Sequence, residues 1–370
     1  MLLSERKLVT LSAGVMATLF STGVACAIGP SDQNVTDAVA IPNPALYGVT
    51  FISSAAGLGT GTVIGTEQDP LGGGNYKDII DVLTANHVVG GANYGTVQFG
   101  ANAVGAPTAT FNWAYWQNYW ATDLPGNPGL PEDIAVIQAT AINLPANVWN
   151  QITASTATVA NPGLGLEPGG NPFLYSSSQA FTEIGYGRMG TYNAAIATLA
   201  GTPPGYLAVP GTSGTRRFQN NNQTGLLAPA QYNYDPNQNY YQPEVTFNVA
   251  NQSNAGGGAA LQGDSGGPLF TGPYNGSPVL SGVNRGDGNI PINFTNNLSA
   301  VLVSGTTRTD GAGNVYFVVG DQENSVPIDS GLYDWLSTWI NNPSTVPEPG
   351  SLALLAFGGI PLLLRRRRKA

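Results

Sequence analysis

The sequence predicts an all-β protein closed by one helix near its end. Composition points there first: 49 glycines and 27 prolines stand among 370 residues, and only 9% of residues are charged. Such a chain turns often and suits short strands better than long helices. The second observation is the pattern between about residues 46 and 342, where short apolar runs alternate with turn residues. The third is that no repeat of 20 to 50 residues interrupts this pattern, which argues against a solenoid or propeller.

The apolar runs predict strands at 47–52, 62–64, 79–83, 134–137, 245–249, 278–283 and 315–319. Turn clusters punctuate them at Gly72-Gly73-Gly74, at Gly256-Gly257-Gly258 and at Asp310-Gly311-Ala312-Gly313. The Gly- and Pro-rich stretch 161–172 predicts a bridge between two halves. Residues 215–242, rich in Asn, Gln and Tyr, predict a long surface loop. Leu332, Trp335, Leu336 and Ile340 fall on one face at helical spacing and give the single expected helix.

The two ends are addresses rather than fold. Residues 1–27 have the form of a secretory signal peptide: Arg6 and Lys7, an apolar stretch, then Ala25-Cys26-Ala27 as a small-residue cleavage site. A rival reading takes Gly23-Val24-Ala25-Cys26 as a lipidation site. Residues 28–45 form a polar lead-in. Cys26 is the one cysteine, so no disulfide within the chain is possible and packing must stabilise it.

At the far end, residues 346–370 carry Pro347-Glu348-Pro349, then 15 apolar residues from Gly350 to Leu364, then Arg365 to Arg368 and Lys369. As a helix the apolar run reaches roughly 22 Å, short of a hydrocarbon core of about 30 Å. The order of motif, apolar run and basic cluster resembles a PEP-CTERM sorting signal of Gram-negative bacteria. That resemblance implies transient inner-membrane insertion, removal by an exosortase-type enzyme, and release to the envelope surface or matrix. A plain C-terminal anchor is the alternative.

The formal net charge is −9. Setting aside the seven basic residues at the ends, with Glu5 and Glu348, leaves 6 basic and 20 acidic residues, about −14 in the body. Such a surface repels nucleic acid, which is therefore not an expected partner.

Chemistry concentrates in three segments. His87 is the sole histidine and follows the apolar run at 79–83. Gln262-Gly263-Asp264-Ser265-Gly266-Gly267-Pro268-Leu269 sets a serine among glycines, which permit the unusual backbone angles of a tight turn. In such a turn the N–H groups of Gly263 and Ser265 can converge as an oxyanion hole, each donor contributing about 3 kcal/mol. The third segment is Glu132-Asp133-Ile134-Ala135-Val136, an acid at the head of an apolar strand.

Together these segments resemble the trypsin/chymotrypsin family of serine proteases. Thr84-Ala85-Asn86-His87 is similar to that family's histidine segment, residues 132–136 to its aspartate segment, and residues 263–268 to its nucleophile segment. The order His, Asp, Ser is the family's order. Gly59 to Ile64, Gly185-Tyr186-Gly187 and residues 330–341 extend the likeness over about 45–342. It implies two six-stranded antiparallel β-barrels packed side by side, the chymotrypsin-like arrangement, with a C-terminal helix. The protease domain would span 46–342, with barrel one at about 46–160 and barrel two at about 173–342.

The resemblance also implies roles. Ser265 would be the nucleophile, His87 its base and Asp133 the residue that orients His87. A peptide or protein would be cut through an acyl-enzyme. The pocket floor would fall at Ala259 and Ala260, with Gln262 and Val283 beside it. No acid stands there, so small or apolar side chains are expected before the cut bond. Asp264 usually pairs with an N-terminus freed by activation, yet no Ile-Val-Gly-Gly start occurs here. No cofactor is expected, and the absence of a clustered His/Cys pattern excludes a structural zinc site on ligand grounds. Two other classes remain: a surface or matrix binding protein that keeps only the scaffold, and an esterase, because acyl transfer uses the same groups.

Overall fold

The computed structural model describes residues 29–30, 48–100, 107–120, 129–161, 180–187, 190–193, 205–208, 213–226, 233–235, 240–242, 245–248, 258–259, 263–271, 279–287, 307–309, 315–318 and 322–341. The first half forms a closed six-stranded barrel. Its strands are β1 (Val49–Ser54), β2 (Leu58–Gly72), β3 (Asn75–Thr84), β4 (Gly95–Phe99), β5 (Ala109–Asn118) and β6 (Ala135–Ile142). They join in the order β1-β2-β3-β6-β5-β4, and β4 returns to β1. All pairings are antiparallel, so no edge is left open.

The predicted turn at Gly72–Gly74 joins β2 to β3. Gly72 pairs with Asn75, and the two residues between them, Gly73 and Gly74, have φ of 63° and 81°. A two-residue hairpin turn with both φ positive suits glycine, which has no Cβ to clash. Alternation along the strands turns Ile52, Val63, Ile80, Val82, Val97, Phe111, Trp113 and Ile137 into a buried cluster inside the barrel. Each such side chain contributes about 1.5–3 kcal/mol when removed from water.

The second half builds another ring. Its strands are β7 (Ala180–Gly185), β8 (Arg217–Leu226), β9 (Val245–Asn248), β10 (Pro268–Thr271), β11 (Val279–Asp287) and β12 (Gln322–Pro327). The sheet runs β10-β7-β8-β9-β12-β11, and β10 also pairs with β11, so six antiparallel pairings return on themselves. Thr158–Val159 adds a short parallel strand to β11. The all-β class and the two-barrel arrangement expected from the sequence are thus present. A four-stranded sheet of Gly190–Asn193, Gly205–Ala208, Val315–Val318 and Thr307–Thr309 accompanies this ring. Gly29–Pro30 pairs with Gly258–Ala259.

One correction concerns residues 215–242. They are not a single loop, because Arg217–Leu226 pairs with β7 on one side and with β9 on the other. Backbone hydrogen bonding to two neighbours outweighs the polar side-chain composition there. Asn233–Asp235 and Tyr240–Gln242 pair as a further hairpin. The bridge at 162–172, the turn at 310–313 and the terminal segments 1–27 and 346–370 lie outside the described residues.

Three helices are described: α1 (Asn86–Val89), α2 (Ala146–Ala154) and α3 (Ser330–Asn341). The helix expected near the end is α3. Asp329 caps it, its Oδ1 accepting the Leu332 N–H at 2.8 Å. Leu332, Leu336 and Trp339 bury their side chains in a cluster with Val49, Ile64, Ile134 and Val136 of the first half and Ile184, Phe270, Leu280 and Val326 of the second. The helix and both halves therefore share one core. No helix among the described residues is long and apolar enough to cross a membrane.

Candidate active site

His87 and Asp133 come from the first barrel. β3 ends at Thr84, and α1 follows at once, placing His87 on the rim. Asp133 stands at the head of β6, which pairs with β3 along its length, so their shared register brings residues 46 apart into contact. His87 Nδ1 lies 2.7 Å from Asp133 Oδ2, and the His87 backbone N–H donates to Asp133 Oδ1 at 2.8 Å. With Nδ1 donating its proton to the carboxylate, the ring presents Nε2 as its acceptor. Asp133 is fully buried, while the His87 side chain is 17% exposed.

Burial alone pushes the Asp133 carboxyl up. The His87 charge and hydrogen bonds, with the nearby Arg285 guanidinium, more than reverse this and hold it below the ordinary carboxylate value.

The turn that carries Ser265 comes from the second barrel, just before β10. Gly263 and Gly266 have φ of 111° and 84°, angles that favour glycine over residues with a Cβ. Gly267 N–H closes the turn on the Asp264 carbonyl at 2.7 Å. Asn284 on β11 grips the turn from one side, accepting the Gly266 N–H and donating to the Gly267 carbonyl, each at 2.7 Å. The Ser265 hydroxyl donates to the Arg285 carbonyl at 3.3 Å.

Thr60 on β2 grips the turn from the other barrel. Its N–H donates to the Ser265 carbonyl at 2.9 Å, and its hydroxyl donates to the Gly263 carbonyl at 2.8 Å. The same hydroxyl oxygen accepts the Tyr186 N–H at 3.0 Å, and the Thr60 carbonyl accepts the Thr84 hydroxyl at 2.7 Å. A methyl group on Gly266 would strike Thr84 Oγ1 and the Thr60 carbonyl and come within 2.8 Å of the Ala85 nitrogen. Ser265 is thus anchored against the segment that carries His87, two residues beyond Ala85.

Asp264, within the turn, is completely buried. Its Oδ1 accepts the Gly187 N–H at 2.8 Å, and Arg217 Nη1 donates to the Gly187 carbonyl, also at 2.8 Å. Burial pulls the Arg217 guanidinium below its ordinary value, and the Asp264 charge works in the other direction. Arg217 was not among the residues singled out from the sequence. The available signal was the Arg216-Arg217 pair in a body with six basic residues, since buried arginines are kept where they meet charge.

The expected pocket residues fare differently. Ala259 lies on the strand that pairs with Gly29. Ala260 and Gln262 lie outside the described residues. Val283 is 1% exposed and packs in the core shared by the two halves.

No family model matches the chain, and no curated protein matches it. Several solved structures are similar in shape. An HL collagenase shares 14% identity at a TM-score of 0.43, over 79% of this chain and 93% of that one. An inactive form of the Rv3671c protease shares 17% at 0.39, over 84% and 98%. The HtrA-type protease AlgW shares 14% at 0.37, over 81% of this chain and 64% of that one.

Proposed function

We propose that this protein is a serine endopeptidase, with Ser265 as nucleophile, His87 as general base and Asp133 as the group that orients His87. The observation that carries this reading is the 2.7 Å contact between His87 Nδ1 and Asp133 Oδ2, made beside the turn that holds Ser265. A serine hydroxyl at its free pKa is a weak nucleophile and needs a base within reach. His87 takes the proton as Ser265 Oγ attacks the substrate carbonyl, then returns it to the leaving amine. The buried Asp133 carboxylate stabilises the imidazolium between these steps. Gly263 and Ser265 supply the N–H donors that receive the oxyanion.

Arg217 beside Asp264 supports a nucleophile turn that holds its shape without a freed N-terminus. Small or apolar residues before the cut bond, export through the N-terminal signal and sorting through Pro347-Glu348-Pro349 complete the proposal.

A fluorophosphonate probe tests the class. It labels the mature protein, and Ser265→Ala removes the label. Wild-type protein that takes no label fits a binding scaffold and sinks the hydrolase reading. Cleavage of casein then separates a protease from an esterase that accepts only short acyl esters. Peptide profiling with cuts mainly after Arg or Lys would overturn the expected preference.

A further inference from the structure

Arg285 touches two members of the site at once. Its carbonyl accepts the Ser265 hydroxyl at 3.3 Å. Its Nε lies 3.7 Å from Asp133 Oδ2, the same oxygen that meets His87 Nδ1. The Arg285 side chain is 10% exposed and Asp133 is fully buried, so solvent screens this encounter weakly. We infer that Arg285 is a positioning residue that holds Asp133 in place for His87 and sets how far into acid the pair still works as a base. The inference rests on the hydrolase reading above.

Two effects of one charge support it. A carboxylate removed from water tends toward its neutral form, and a guanidinium beside it favours the charged form. The same positive charge opposes a second one on the neighbouring imidazole, because like charges a few ångströms apart repel strongly where water is scarce.

The elements that form the site carry other charges. Asp133 and the buried Glu132 precede β6, and Asp264 lies within the nucleophile turn with Arg217 behind it. The other residues of α1 are Asn86, Val88 and Val89 and carry no charge. Arg285 is distinguished from Arg217 by its contact with the oxygen that His87 uses.

The substitution Arg285→Gln removes the charge and keeps the carbonyl that receives the Ser265 hydroxyl. Arg285→Lys keeps the charge. His87 is the sole histidine, so in untagged protein one imidazole signal reports on it by nuclear magnetic resonance. In Arg285→Gln that signal turns over at higher pH than in wild type, and the acid limb of kcat/KM moves the same way. Arg285→Lys stays near wild type on both measures.

An imidazole signal that turns over at the same pH in wild type and Arg285→Gln overturns the role of Arg285 alone. So does a fall in the kcat/KM plateau with an unmoved acid limb, which marks a merely structural residue. Failure of the wild-type protein to take the fluorophosphonate label instead overturns the hydrolase reading itself.

Discussion

Replacing Asp81 with asparagine should make the protein more stable in mild alkali and leave it little changed in acid. Asp81 lies on β3 with its side chain fully buried. Its Oδ1 accepts the Gln138 amide at 3.3 Å, while Oδ2 has no hydrogen-bond partner. Burial, reinforced by the Glu67 charge and only partly offset by the Gln138 bond, raises its pKa from 3.8 to about 7.

A folded pKa above the unfolded one means that the folded protein holds the proton more tightly. The resulting stability is complete below about pH 4 and drains away as pH climbs to about 7. A difference of about three units corresponds to about 4 kcal/mol at pH 8. The asparagine amide adds N–H groups at a site with few acceptors, which costs about 1–2 kcal/mol. Asp81→Asn should therefore gain about 2 kcal/mol over wild type at pH 8, and that advantage should vanish or reverse at pH 5. Urea unfolding of both proteins at the two pH values measures it. A difference between variant and wild type that is the same at pH 5 and pH 8 would refute the reasoning.

Three further outcomes follow from the site. Gly266→Ala places a methyl group against Thr84 and Thr60 at a φ of 84°, and should cost at least about 2 kcal/mol in a denaturant midpoint while abolishing probe labelling. Arg217→Met leaves the buried Asp264 without its neighbouring guanidinium and should cost about 3 kcal/mol, part of which Asp264→Asn restores in the double variant. Asp133→Asn should keep the fold and lower kcat by about 10⁴-fold, because the amide no longer fixes the tautomer of His87. Activity within tenfold of wild type in that variant would remove Asp133 from the machinery.

Much of this was legible because its determinants are local. Gly73 and Gly74 declare a hairpin by themselves, and Leu332, Leu336 and their neighbours declare a helix by spacing. The segments holding His87, Asp133 and Ser265 are each readable as short strings, although their meeting depends on the pairing of β3 with β6 and on the Thr60 seam. Helix α2 was not legible. It has no acid in its first turn, no side-chain cap, and Asn, Val, Ile and Thr among its residues, so its propensity is weak. Packing of Trp149 and Ile152 onto the first barrel makes it a helix. The partnership of Arg285 with Asp133 was equally hidden. It depends on which way one side chain of β11 faces, and the short pattern around Asn284-Arg285 carries no such information.

Thr60 gives the architecture a temporal consequence. On the proposed reading, the first barrel alone holds a base and its carboxylate but nothing to attack with. The hydroxyl arrives more than a hundred residues later, on a turn that needs Thr60 to clasp it. A nascent polypeptide is therefore harmless to its surroundings and to itself until its last third has condensed onto its first.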